Sequence, residues 1–488
     1  MRLNYLFDAL SLILIYIGLV VFLPVIVAFI YGDYNSAIPF VTAGVISCLS
    51  GLTCKYFVNK LLPSQNLTNI RKSEGLAIVL LSWLAFSIIA TIPYFFFGFG
   101  VVDAFFEGIS GVTTTGATIL TGYDYPKALF FWRALSQWIG GLGIIVLFIA
   151  VLPQFAVAGR QMFFAEAPGP TEDKLTPRIK NTATALWGLY IVLTLIQIGL
   201  LVYFKMPLFD AICNSFATIS SGGFSPNPQS IMGYNSLPIT WVVIVFMFFS
   251  GCNLALIYRV ITGFKYKLMF KNEEFKVYFG LIVLVSTLIC GLLYMNSGHY
   301  SFKMLTDSVF TVLSIMTSTG FISCDYSAWS ISAQVLLFIV IIFGSSAGST
   351  GGGIKIVRAL IVFKYLKREL IKLLHPNAVV TIKMNNETVA PDIISQIIAF
   401  VMFYIVIFII SGLFASIIEN NFVVGFAGSI STLNIIGPSF GHLIGPNGSY
   451  ESLNSLTKII FMFNMIIGRL ELIPFLILLN KDFWTVKK

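Results

Sequence analysis

Hydrophobic residues run along this chain in long stretches separated by short polar breaks. A helix needs roughly 20 mostly apolar residues to cross a bilayer. Ten segments meet that length: 10–31, 38–58, 76–99, 129–153, 182–204, 238–262, 276–297, 331–363, 392–418 and 456–479. Between the members of each later pair lies a shorter apolar stretch, too short to span. After an opening hairpin the pattern therefore reads span, short re-entrant helix, glycine strand, span, four times. The expected fold class is an all-α polytopic membrane protein. Four parallel span–pore-loop–span repeats stand in a pseudo-four-fold arrangement around a central pore, with an N-terminal two-helix hairpin added. The expected divisions are 1–62 for the hairpin, then 76–155, 182–264, 276–368 (its second span broken) and 392–482.

The short stretches share a pattern. From Asp103, Asp210, Asp307 and Val424, a glycine follows 13 positions later, at Gly116, Gly223, Gly320 and Gly437. The residues before it are Thr114 and Thr115, Ser221 and Gly222, Ser318 and Thr319, and Ile435 and Ile436. A lone Thr-Gly pair means nothing, and packing glycines explain single positions. They do not explain a constant spacing between spans. Non-helical backbone at membrane depth is tolerated where it lines a cavity or is buried in protein. Glycine lets a carbonyl turn toward an axis, and a ring of carbonyls replaces the water shell of a potassium ion. These twelve residues are the candidate K+ filter. No acidic ring is present, which argues against divalent selectivity. The three aspartates are expected at N-cap positions. The fourth copy, without Asp or hydroxyls, is expected to be uncapped and to make the filter asymmetric.

Composition agrees with the pattern. The chain has 488 residues, 57% hydrophobic and 10% charged, against about 25% charged in soluble domains. The first stretch reads as a retained span rather than a cleaved leader. Six cysteines form no CxxC pair and three histidines have no helical partner, so neither disulfides nor a bound metal other than K+ is expected. The net charge of +9 does not mean nucleic acid, because its placement follows the membrane. Lysine and arginine concentrate in cytoplasmic loops. With both termini inside, the inner segments hold 24 of the 30 basic residues, above all 355–383. Lys127, Arg133, Lys205, Lys303 and Lys458 fall outside, and all four re-entrant loops enter from the outside.

Two features break the repeat. The third repeat's second span contains Gly344, Ser345, Ser346, Ala347, Gly348, Ser349, Thr350, Gly351, Gly352 and Gly353. Each glycine costs a helix about 1 kcal/mol relative to alanine. The run reads as a flexible intramembrane gate beneath the filter, or as a plain hinge. It is no phosphate loop, since Ile354 separates Gly353 from Lys355. Arg469, inside the last span, is read either as a positive barrier facing the pore or as a structural partner of a buried carboxylate.

These residues resemble the Trk/Ktr/HKT superfamily of potassium transporters. The likeness covers nearly the whole chain. It rests on the four loops, on Trp138 to Gly143 (Trp-Ile-Gly-Gly-Leu-Gly), on Gly348 to Lys355, and on Gly468-Arg469-Leu470-Glu471. The N-terminal hairpin makes it similar to the TrkH branch. The resemblance implies a potassium-selective, channel-like uptake protein of the bacterial inner membrane, forming a homodimer among membrane lipids. It implies a TrkA-like cytosolic nucleotide-binding regulatory subunit and no cofactor in this chain beyond K+ in the filter. A glycine in all four loops goes with potassium in this superfamily, and a serine in the first goes with sodium. Gly222 beside Gly223 is expected to loosen the second strand. The alternative is a sodium-permeable or Na+/H+-coupled symporter of the same fold. An intramembrane enzyme would need paired aspartates, a Ser/His dyad or a metal motif within spans, and the sequence has none.

Overall fold

The computed structural model describes residues 3–61, 72–143 and 179–470. Helices α1 (Leu3–Val21) and α2 (Leu23–Ile30) lead into α3 (Ile38–Leu61), which packs back along α1. Both lean on α4 (Lys72–Phe96), so the hairpin sits beside the first repeat.

Each repeat then supplies a long helix, a short one and a second long one. The first is α4, α5 (Val101–Val112) and α6 (Lys127–Leu142). The second is α7 (Ile179–Tyr203), α8 (Leu208–Ile219) and α9 (Leu237–Gly251), continued by α10 (Leu254–Gly263). A short α11 (Lys267–Lys271) leads to the third: α12 (Glu273–Ser297), α13 (Phe302–Met316) and α14 (Ile331–Ile342), continued by α15 (Ile356–Leu374). The fourth is α16 (Pro391–Glu419), α17 (Phe422–Leu433) and α18 (Ser455–Leu470). A small hairpin of β1 (Lys383–Met384) and β2 (Glu387–Thr388) joins the last two repeats.

The repeats close into a ring. The second long helix of each packs on the short helix of the next: α6 on α8, α9 on α13, α14 on α17, and α18 back on α5. The outward faces stay apolar and exposed, as at Leu195 and Ile196 of α7, Leu288 of α12 and Phe414 of α16. Such faces suit lipid, where hydrocarbon replaces the packing partner. Among the described residues, six continuous helices are long and apolar enough to cross a membrane, or seven counting the bent α9–α10 pair. The chain is a multi-pass membrane protein.

Two expected spans are not straight helices. The break in 331–363 runs from Phe343 to Lys355, where the glycine run foretold it. The segment 238–262 is also broken, by a 102° bend between α9 and α10. A helix can break inside a membrane only if its freed backbone groups find partners. Here the glycine run supplies them: Ser346 N–H donates to Gly251 O at 3.0 Å, and Leu254 N–H to Gly348 O at 3.2 Å. The Asn253 side chain caps α10 by accepting from Leu256 N–H. The expected span tails 144–153 and 471–479 lie outside the described residues.

Candidate functional site

The short helices α5, α8, α13 and α17 end in the same turn. In the first, Thr115 N–H reaches back to Ser110 O and Thr114 N–H to Gly111 O, at 2.9 and 3.1 Å. The same pair of bonds recurs from Gly222 and Ser221, Thr319 and Ser318, and Ile436 and Ile435. This is the Schellman closure, which normally uses glycine for its left-handed residue. Here that residue is Thr114, Ser221, Ser318 or Ile435, with φ of 60°, 57°, 59° and 53°. Two positions on, Gly116, Gly223, Gly320 and Gly437 are left-handed again, with φ of 76°, 78°, 73° and 88°.

The glycines interlock. A Cβ on Gly116 would lie 2.1 Å from Gly222 O, and one on Gly223 only 1.9 Å from Thr319 O. On Gly320 it would lie 1.9 Å from Ile436 O, and on Gly437 2.6 Å from Thr115 O. Each strand thus abuts the next one's carbonyl, from the first repeat to the fourth and back to the first. The twelve residues expected to act together form one closed ring, buried except for half-buried Gly223. Four helix C-termini converge on it, each carrying roughly half a negative charge.

Side chains brace the ring from behind. The Thr113 and Thr115 hydroxyls share a hydrogen bond of 2.8 Å, as do those of Thr317 and Thr319. Ser110, Ser314 and Ser431 donate to Ala117 O, Phe321 O and Gly437 O at 2.6, 2.6 and 2.8 Å. The second strand does not carry a loose glycine at 222: a Cβ there would lie 2.4 Å from the Gln137 amide carbon. Arg133, expected on the outer side, is buried and paired with Glu107 at 2.8 Å. Glu107 also accepts from Ile119 N–H at 2.9 Å, just beyond the first strand.

The aspartates are not N-caps. Asp103 and Asp210 sit one turn inside their helices, after Gly100 and Pro207 at the caps. Asp307 lies deeper still, because Ser301 caps α13 earlier, its hydroxyl accepting from Lys303 N–H. Asp103 instead receives Lys458 of the fourth repeat at 2.6 Å, and Asp307 accepts from Ser323 at 3.0 Å. The fourth helix is capped after all: the Asn421 side chain accepts from Val424 N–H at 3.2 Å. An Asn cap three residues upstream of the aligned position escaped a reading keyed to Asp.

The glycine run folds as a closed excursion, its neck held by Gly344 N–H to Ile354 O at 2.9 Å. Its tip lies across the ring, on the side away from the short helices' N-termini. Thr350 Oγ1 and Ser221 Oγ are 2.8 Å apart, and Gly352 N–H donates to Ser318 Oγ at 3.1 Å. A Cβ on Gly352 would lie 2.7 Å from Asn434 O, under the fourth strand. Glu274 holds the near side by accepting from Ala347 N–H at 2.7 Å.

Arg469 completes the floor under the first strand. Its guanidinium donates to Thr114 Oγ1 at 3.2 Å and to Thr350 O at 2.9 Å. It also donates to Gly140 O and Gly141 O at the end of α6. A cation at a helix C-terminus is favoured. One residue therefore joins the ring, the glycine run and the first repeat's second span. Glu471, two residues on in the sequence, lies outside the described residues.

The match to known proteins decides the lineage. The TrkH family model, described as a cation transport protein, matches residues 44–299 and 298–484. The chain belongs to the TrkH family. The Trk system potassium uptake protein TrkH of Salmonella typhimurium is 38% identical over 423 residues, 85% of this chain and 86% of that protein. The Vibrio parahaemolyticus protein of the same name is 35% identical over 472 residues, 94% and 95% of the two chains. The crystal structure of the potassium transporter TrkH from Vibrio parahaemolyticus superposes with a TM-score of 0.86 at 31% identity. It covers 99% of this chain and 100% of that one. These TrkH relatives are named as transport proteins, not enzymes.

Proposed function

We propose that this chain is the ion-conducting part of a potassium uptake system. The observation that carries the reading is the closed glycine ring, with each filter glycine against a backbone oxygen of the next strand. Such a ring replaces the hydration of a monovalent cation without a charged side chain. The names of the similar proteins, which specify potassium uptake, support the choice of ion.

In this reading the twelve ring residues bind potassium as cargo and the four repeats act as quadrants. The run 344–353 blocks the path beneath the ring, and Arg469 holds it there. The basic segments face the cytosol, where 355–383 receives a TrkA-like nucleotide-binding regulator. The protein works as a homodimer in the bacterial inner membrane. The test is flux into liposomes holding this chain alone. Rubidium uptake far above sodium uptake is expected. Equal uptake of the two contradicts the reading, and rubidium entry that needs a sodium or proton gradient shifts it to a coupled symporter.

A further inference from the structure

The ring has one strand built differently from the others. In repeats one, three and four, a serine six residues before the filter glycine ties the strand to its own helix: Ser110, Ser314 and Ser431. At the corresponding place in the second repeat stands Ala217, which has no hydroxyl. The second strand would then hang without a side-chain tether.

Gln137 takes that place from another repeat. It lies on α6, fully buried, in the first repeat's second span. Its Nε2 donates to Gly222 O at 2.6 Å, and its Oε1 accepts from Phe224 N–H at 3.1 Å. One amide thus grips the backbone on both sides of Gly223, as a paired strand would. The grip dictates the sequence beneath it. The other −1 residues are Thr115, Thr319 and Ile436, but a Cβ at 222 would fall 2.4 Å from the Gln137 amide carbon, so a side chain there displaces the grip. The bond also occupies one lone pair of Gly222 O, the oxygen that abuts Gly116.

We infer that Gln137 is a positioning residue for ion selectivity, setting the second strand's carbonyls from the first repeat. The inference rests on the ring acting as the filter. It also makes Ala217, Gly222 and Gln137 one coupled set, in which an amide from outside stands in for a missing serine.

The experiment measures the rubidium-to-sodium flux ratio in liposomes for four variants, with elution profile and melting followed in detergent. Gln137→Met keeps length and bulk but removes both bonds. Its ratio is expected to fall about tenfold. Adding Ala217→Ser to Gln137→Met restores a tether of the kind the other strands use, and most of the ratio is expected to return. Gly222→Ala attacks the same grip from the strand side and lowers the ratio even if Gln137→Met fails to fold. A Gln137→Met protein that elutes and melts like the parent and keeps its ratio overturns the inference. So does a folded Gly222→Ala protein with the parental ratio. Gly223→Ala separates the two levels. If it lowers the ratio while the Gln137 and Gly222 variants do not, only this inference fails. If it too leaves the ratio unchanged, the filter reading fails with it.

Discussion

Thr114, Ser221, Ser318 and Ile435 differ in size and polarity yet share one left-handed backbone state. For β-branched Thr114 and Ile435 that state is unfavourable by about 1–3 kcal/mol and persists only where the surroundings fix it. The bracing hydrogen bonds and the abutting neighbour strands supply that constraint. The spacing of the glycines was legible in the sequence because it is a local, repeated interval. The turn two residues earlier was not, since Schellman turns announce themselves by glycine and these use Thr, Ser and Ile. Gln137 escaped notice for a different reason: its partners, Gly222 and Phe224, are far along the chain. A polar amide inside an apolar span was the available sign. Gly116→Ser puts a Cβ where only 2.1 Å separates it from Gly222 O, so the ring must open. Sodium flux is expected to rise toward rubidium flux, by about tenfold for each 1.4 kcal/mol of lost discrimination. Unchanged relative fluxes in a folded protein would contradict this.

Among the elements, the glycine run and the helices it touches form a single assembly. The break in the third repeat was legible because a stretch with Gly351, Gly352 and Gly353 cannot stay helical. The bend after α9 was not, because a single Gly251 does not by itself break a helix and the freed groups at Gly251 and Leu254 are satisfied by Ser346 and Gly348. Only the folded chain brings those together. The pairings of Lys458 with Asp103 and of Arg133 with Glu107 were not legible for the same reason: loop position gives a side of the membrane, not a partner. The run bonds to Ser221, Ser318 and Arg469, so under the proposed blocking role loss of those contacts unblocks the ring. Shortening 345–353 is expected to raise rubidium flux severalfold, and Arg469→Ala, which frees Thr350 O, Thr114 and the carbonyls of Gly140 and Gly141 but leaves the run in place, to raise it less. Flux at or below the parent level in both folded proteins would leave the run a hinge.

For the whole molecule, the hydropathy pattern was sufficient to give four repeats and a hairpin, because a bilayer demands long apolar helices whatever their partners. The order of packing around the ring was not legible, since the contacts of α6 on α8 and α18 on α5 depend on shape. Orientation is proposed from charge. Under that proposal the exposed Asn377, beyond α15, faces the inner side, and the exposed Asn447, beyond the fourth glycine, the outer. In a cysteine-free background, Asn447→Cys is expected to react with an impermeant maleimide on intact cells, and Asn377→Cys only after lysis. The reverse pattern would invert the protein in the membrane.

The last contact of the ring joins Gly437 to Thr115, the end of the chain to its beginning. A ribosome adding 5–20 residues per second needs roughly a quarter of a minute to a minute to travel between them. Over that time the growing chain holds first one, then two, then three quarters of a polar ring with one side open. Lipid cannot satisfy those strands, as backbone groups left bare in hydrocarbon cost several kcal/mol each. Birth of the protein therefore calls for a sheltered exit, in which the insertion machinery or a companion covers the gap until α17 and α18 arrive.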